Sequence, residues 1–251
     1  MEDYTHYNDR VNSATAERLL DLNRRFYAER GHDFSETRLR VQPGVKRFLQ
    51  NLRGDESILD LGCGNGSLAR ALSRSGHHGR YLGVDFSTPL LEHARSGAYS
   101  FPVTFVQCEL PLWARAGGSV EGQGGWSLIT AFAVLHHIPG RENRLALLAR
   151  VRRELSPDGL FIHSNWRFSG NKRLEGRIHP WTTIGVDAMQ VDVGDYLLDW
   201  RRGGTALRYV HEFDEEELAG LASESGFAVT ESFYSDGVDR RSGLYQTWRP
   251  A

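Results

Sequence analysis

The chain has 251 residues, of which 40% are hydrophobic and 25% charged, with a formal net charge of −2 at pH 7. That composition excludes a disordered or fibrous chain and argues against wholesale wrapping of a polyanion, and the length suits one large α/β domain with a real core. The two cysteines, Cys63 and Cys108, form no disulfide framework or zinc signature and read as small, buried, reduced residues.

No apolar run approaches the roughly 20 residues of a membrane span, and MEDYTHYNDR lacks the apolar core of a signal peptide, so a cytoplasmic protein with no membrane partner is expected. Residues 1–30 carry a helical stripe of Ala16, Leu19, Leu20, Leu22, Phe26 and Tyr27, the pattern of a helix packed on a domain edge. Pro43 and Gly44 open a second helix, with Val45, Phe48, Leu49 and Leu52 inward. Arg38, Arg40, Lys46, Arg47 and Arg53 crowd this segment. Such charges read either as a solvated face or as contacts to an anionic ligand.

The stretch ILDLGCGNG, 58–66, follows. A buried strand over 57–61 breaks into a turn with glycines at 62, 64 and 66, and a helix begins at once over 67–75. Glycines permit positive φ there and leave no Cβ between ligand and backbone. The spacing departs from the dinucleotide fingerprint, which requires glycine where Ser67 stands. GRYLGVDFS supplies a second strand, 81–84, ending at Asp85, placed to accept hydrogen bonds from ribose hydroxyls of either of two adenosine cofactors. Ser87 is the expected N-cap of a helix over 87–96. VTFVQ, 103–107, is strand three, with Glu109 just beyond it, and the glycine-rich stretch 117–125 is a surface loop.

WSLITAFAVLHHIPG gives a central buried strand over 127–132, after which His136 and His137 emerge beside the ligand crevice. Adjacent histidines without a third ligand or a helical H-x-x-x-H spacing do not make a metal site, so no metal is expected. An amphipathic helix over 141–154 and the turn-then-strand LSPDGLFIHSNW complete an alternating βαβα order. The alternation breaks at 167–212, an Arg- and aromatic-rich insertion read as a cap over the crevice. EFDEEELAGLASESGF returns to the fold, with Asp214 as N-cap, Glu217 at the capping-box position and Gly226 past the helix end. Strands over 228–234 and 243–248 close the chain, flanking Asp236-Gly237.

The G-x-G-x-G turn after Asp60 resembles motif I of the class I S-adenosylmethionine (SAM) methyltransferases. Asp85, Glu109, the strand into AVLHHIP and LSPDGLF extend that resemblance over about half the chain. It implies an α/β fold: a doubly wound, mainly parallel, seven-stranded sheet with a helical or irregular substrate cap over 167–212 and an N-terminal substrate-side segment over 1–53. It implies SAM as cofactor, held by Asp60, Gly62, Cys63, Gly64, Gly66, Asp85, Phe86, Glu109, Leu110 and Ala131, with Glu109 taking the adenine amino group.

FSETR (34–38), AVLHH (133–137), RYVHEFDEEEL (208–218) and ESFYSDG resemble the tRNA wobble-uridine carboxyl methyltransferases, most weakly over 168–200. Their usual activity is methyl-ester formation on 5-carboxymethyluridine in the anticodon loop. This resemblance puts Arg38, His136 or His137, Arg208, Tyr209 and His211 on the substrate side and makes the tRNA anticodon loop a partner. Eukaryotic relatives often require a small zinc-binding activator subunit. A carboxylate is ionised at neutral pH and needs no general base, only an oxygen held in line, and arginine offers a planar clamp for it. Trp166, Trp181, Trp200 and Tyr209 are candidates for base stacking as well as for core. The near-neutral charge and divergent cap favour, as the alternative, a small-molecule O- or N-methyltransferase, and a non-catalytic SAM- or RNA-binding module is a third reading.

Overall fold

The structure, a computed structural model, describes residues 10–37, 40–116, 124–201 and 205–251, without the side chains of 32 and 34–37. Arg38 and most of the 117–125 loop therefore lie outside the described residues. Seven strands form the main sheet: β1 (Ile58–Leu61), β2 (Tyr81–Asp85), β3 (Val103–Gln107), β4 (Trp126–Phe132), β5 (Leu155–Trp166), β9 (Phe227–Ser235) and β10 (Gly243–Pro250). Their order is β3-β2-β1-β4-β5-β10-β9, parallel except for β10, which runs antiparallel to both neighbours. This is the doubly wound α/β sheet expected from the sequence.

β1 is buried at every position because both faces are covered. Ile58 packs with α2 (Pro43–Leu49) and α3 (Ser67–Arg74) on one face. Leu59 and Leu61 face the other core, which α5 (Leu110–Arg115), α6 (Arg141–Glu154) and α8 (Glu215–Glu224) cover. α4 (Thr88–Arg95) follows β2, with Pro89 in its first turn. Ser87 is its N-cap residue by position, yet its hydroxyl makes no capping bond. α5 was not foreseen, since LPLWAR is too short to show a period. In β5 the pairing with β4 jumps from Trp126–Leu155 to Leu128–Leu160, so the Pro157-Asp158-Gly159 turn bulges out of an otherwise continuous strand.

Two pieces cover the carboxyl ends of the sheet. α1 (Ser13–Thr37) starts at Asn12, whose Oδ1 accepts from the Thr15 N–H at 2.9 Å, and buries Leu19, Phe26 and Tyr27. The 167–212 insertion, expected to be helical or irregular, holds short helices, among them α7 (Lys172–Glu175), and also an antiparallel sheet. That sheet is β6 (Ile178–His179), β7 (Asp195–Trp200) and β8 (Ala206–His211). Trp181 packs with Leu19, Val186, Val191 and Tyr209 rather than on an open face. Asp214 caps α8 at 2.7 Å, but Glu217 does not return the bond as a capping box would; His211 and Arg144 hold its carboxylate instead. Among the described residues no helix is long and apolar enough to cross a membrane.

Candidate active site

At the carboxyl ends of β1 and β4, where the sheet order reverses direction, lies a crevice of about 600 Å³. The glycine turn forms one wall, with φ of 67° at Gly62, 54° at Gly64 and 77° at Gly66. A Cβ on Gly62 would sit 2.5 Å from Val134 Cγ2, whereas a Cβ on Gly64 would meet no atom within 4 Å. Gly62 therefore serves packing as well as the turn, and Gly64 keeps a length of backbone open to the crevice.

Asp85 ties this turn to the next strand. Its Oδ2 accepts from the Gly64 N–H at 2.9 Å and its Oδ1 from the Ser87 N–H at 2.8 Å. Burial pushes its pKa up to about 6 against those bonds. Asp60 follows Ile58 on the α2/α3 face of β1 and accepts hydroxyls from Thr130 (2.6 Å) and Tyr81 (2.5 Å). Burial likewise pushes it up to about 6. Both aspartates line the crevice, together with Cys63, Phe86, Glu109 and Leu110. Burial raises the Cys63 thiol well above its ordinary value, so it is a neutral wall residue.

Glu109, expected to meet the adenine amino group, is engaged at Oε2 by Arg24 Nε of α1 at 3.2 Å. Ala131 is misplaced by the sequence reading: it is fully buried under the α5/α6 face and does not line the crevice. Within β4 it shares the face of Ile129, and of that strand only the last residue, Phe132, lines the crevice. Ala133 takes that place with a strained φ of 59°, its N–H shared between Ser164 O and Oγ at 2.9 and 3.1 Å. The open Gly64 backbone, the Asp85 carboxylate and the Phe86 ring suit an adenosine-bearing cofactor with an extended tail, so the residues present fit SAM.

The other wall carries the substrate-side candidates. Both histidines line the crevice, on a 3-10 turn after β4 (Leu135–His137). His136 Nδ1 accepts from the Trp166 N–H at 3.3 Å. His137 Nδ1 lies 3.1 Å from the Tyr209 carbonyl, so Nδ1 carries the proton, and Nε2 accepts from the Tyr27 hydroxyl at 3.0 Å.

Arg208 also lines the crevice, its guanidinium carbon 5.1 to 5.8 Å from the ring centroids of Trp166, Phe26 and Trp200. Tyr209 and His211 do not join it. Side chains alternate along β8, so these two point to the opposite face, into a buried cluster with Arg144, Asp192, Asp195 and Glu217. There the Tyr209 hydroxyl donates to Asp195 at 2.7 Å and His211 Nδ1 to the same oxygen at 2.6 Å.

Of the stacking candidates, Trp166 and Trp200 reach the crevice and Trp181 and Tyr209 do not. Arg47 pairs with Glu231 at 2.6 Å and Arg53 with Asp55 at 3.0 Å, as surface charges do.

α1, expected to pack on a domain edge within the substrate-side segment 1–53, supplies residues of the crevice itself. Asn23, Arg24 and Tyr27 all line the crevice. Asn23 brackets the Tyr209 backbone, accepting from its N–H at 2.9 Å and donating to its C=O at 3.2 Å. Asn23 and Tyr27 lie one turn apart on one face, so a polar pair inside an apolar stripe was the available signal. Among the described residues no group of three His, Cys, Asp or Glu is arranged to hold a metal ion.

Residues 34–232 match the family model of the methyltransferase domain. A protein of Encephalitozoon cuniculi named as a methyltransferase is 32% identical over 206 residues, 82% of this chain and 86% of its own length. The tRNA (carboxymethyluridine(34)-5-O)-methyltransferase of Arabidopsis thaliana is 26% identical over 161 residues, 64% of this chain and 36% of that longer protein. In three dimensions the chain is similar to 1,6-didemethyltoxoflavin-N1-methyltransferase of Burkholderia thailandensis, solved with bound 1,6-didemethyltoxoflavin and S-adenosylhomocysteine. That likeness has a TM-score of 0.67 at 20% identity and covers 96% of this chain and 92% of that one. With the family model spanning most of the chain and its glycine turn set as a SAM site requires, the protein belongs to the methyltransferase domain family and is a SAM-dependent methyltransferase of the class I fold.

Proposed function

We propose that the acceptor is a carboxylate, and specifically that of 5-carboxymethyluridine at the tRNA wobble position, which leaves as the methyl ester. The observation that carries this reading is Arg208, a guanidinium set among Phe26, Trp166 and Trp200 in the wall of the same crevice as the glycine turn. A planar cation between aromatic rings fits an acceptor that joins a carboxylate to a flat base. The resemblance of AVLHH and RYVHEF to the wobble-uridine enzymes and the similarity to the Arabidopsis protein support the same choice.

Held at the Gly64 backbone and Asp85, SAM would supply an electrophilic methyl carbon to a carboxylate oxygen, with S-adenosylhomocysteine as the leaving group. The oxygen gains the methyl and no proton moves, so the site needs no base at neutral pH. Arg208 holds the carboxylate, the aromatic rings exclude water around it, and His136 and His137 border the base. Orientation and desolvation then provide the acceleration.

The test is incubation with labelled SAM and tRNA carrying 5-carboxymethyluridine, followed by digestion to nucleosides, with and without a small zinc-binding activator subunit. A labelled methyl ester supports the proposal; its absence in both arms, with SAM binding confirmed, rejects it. A small-molecule O- or N-acceptor is the second reading. It is favoured by a crevice walled in part by Leu20, Val41, Val45, Leu68 and Leu90 and by the likeness to a toxoflavin-precursor methyltransferase. Methyl transfer to a small acid or amine without RNA would establish it.

A further inference from the structure

Asn165, near the end of β5, is 1% exposed and lines the crevice beside Ser164, Trp166 and His136. Its amide is fixed from below. Asn165 Nδ2 lies 3.1 Å from Nδ1 of His163, two residues earlier on the same face of the strand. His163 is wholly buried between Phe161, stacked at 5.0 Å, and Trp248, edge-on at 4.5 Å. Burial pushes its pKa down to about 3, so the ring is neutral and its Nδ1 accepts the amide N–H. Asn165 Oδ1 is left as a buried acceptor with no hydrogen-bond partner among the described residues. An orphaned buried acceptor of this kind is destabilising unless something donates to it. Because this one belongs to the crevice lining, the donor that suits it is a ligand.

We infer that Asn165 is a specificity-determining residue for the methyl acceptor, its Oδ1 taking a hydrogen bond from an N–H of the acceptor, and that His163 is the positioning residue that holds the amide in that orientation. Resting on the wobble-uridine reading, the N–H is the imide N3–H of the uracil ring. That group is free in an unpaired anticodon loop and is the one ring donor of the base. Recognition then has two ends: Arg208 for the carboxylate and Asn165 for the imide. With one amide N–H tied to His163 and Oδ1 left without a partner, the acceptor is the atom this amide presents to the ligand, so the pair also favours a base with a donor at that edge over one with an acceptor there, such as the N3 of cytosine.

The experiment compares 5-carboxymethyluridine with its N3-methyl derivative, each within an anticodon stem-loop oligonucleotide. Binding to the protein loaded with S-adenosylhomocysteine is measured by calorimetry, and methyl transfer is followed in parallel with labelled SAM. The full-length wild type is expected to prefer the N3–H oligonucleotide by tenfold or more. Asn165→Ala is expected to bring that ratio to within twofold of one while leaving SAM affinity unchanged. His163→Phe, which keeps a ring between Phe161 and Trp248, should lower the ratio to an intermediate value, a change that simple destabilisation would not produce. A wild-type preference that survives in Asn165→Ala overturns the assignment of Asn165 and leaves the substrate reading standing. Wild-type failure to bind either oligonucleotide, with or without an activator subunit, overturns the substrate reading and the imide assignment with it.

Discussion

The hydroxyl of Tyr27 lies 3.0 Å from Nε2 of His137, whose Nδ1 faces the Tyr209 carbonyl at 3.1 Å. Three segments far apart in sequence thus meet at one imidazole: α1, the turn after β4 and β8. The carbonyl can only accept, so the ring is the Nδ1–H tautomer and Tyr27 is the donor to Nε2. Tyr27 also packs edge-on against Phe86 at 5.6 Å, linking this chain of bonds to the cofactor wall. Tyr27→Phe keeps the ring and removes one hydrogen bond, worth about 0.5–1.5 kcal/mol. The expected outcome is a fall of about three- to tenfold in kcat/KM for the acceptor, with SAM affinity and thermal stability nearly unchanged. An unaltered kcat/KM would show that His137 is held well enough by β8 alone.

The glycine turn separates two effects that are usually merged. Gly62→Ala adds a Cβ at a φ of 67° and drives it to 2.5 Å from Val134, so the variant should lose thermal stability. Gly64→Ala carries only the backbone strain of a φ of 54°, about 1 kcal/mol, because its Cβ enters open space. On the expected cofactor placement, that space holds SAM. Gly64→Ala is therefore expected to stay folded yet bind SAM at least tenfold more weakly by calorimetry. Equal SAM affinity in Gly64→Ala and wild type would remove the turn from the cofactor site.

Much of the architecture is legible from the sequence because buried parallel strands and glycine turns impose strong local patterns. β1, the turn at 62–66 and Asp85 are found by spacing alone, and α6 is found residue for residue by its period. The substrate wall is less legible for a physical reason. RYVH reads as one motif, but in a strand its residues divide between two faces, so Arg208 enters the crevice while Tyr209 and His211 enter a buried ionic cluster. Asn23 and Tyr27 were hidden inside an apolar helical stripe. The β8 partner of Asn23 lies more than 180 residues away and the His137 partner of Tyr27 110 residues away, pairings no local pattern encodes.

The buried aspartates predict opposite pH effects on stability and on ligand affinity. Asp60 and Asp85 titrate at about 6, above their ordinary 3.8, because burial opposes the charged form. Between pH 4 and 6 the folded protein therefore holds protons that the unfolded chain has released. The contribution of these groups to stability is greatest below that window and declines as pH rises through it. SAM binding goes the other way, since only the ionised Asp85 accepts fully from both Gly64 and Ser87 and from ribose hydroxyls. SAM affinity is expected to weaken as pH drops below about 6, and Asp85→Asn should bind weakly with that dependence flattened. Calorimetry at pH 5, 6 and 7.5 checks it; a wild-type affinity constant over this range would count against Asp85 as the ribose partner.

Arg144 holds the insertion to the main domain. Wholly buried on α6, it donates from Nε to the Ile138 carbonyl at 2.9 Å and reaches the Tyr209 hydroxyl at 3.0 Å, Glu217 at 3.3 Å and Asp195 at 3.5 Å. Burial and Arg144 press the His211 pKa down, but hydrogen bonds to Asp195 and Glu217 raise it on balance. His211 therefore adds stability that is fully present below its ordinary 6.5 and is lost as pH rises through the folded value. Arg144→Met would leave Asp192, Asp195 and Glu217 with His211 as their nearby cation, and breaking a buried pair from one side costs about 3–5 kcal/mol. In a domain of this size that corresponds to a fall in Tm of about 10 °C. The loss should be smaller at pH 5.5 than at pH 8, because protonated His211 partly replaces the missing charge. Thermal unfolding of wild type and variant at the two pH values tests both parts. A variant as stable as wild type at pH 8 would mean that the carboxylates are protonated or hydrated in place and that the cluster does not depend on Arg144.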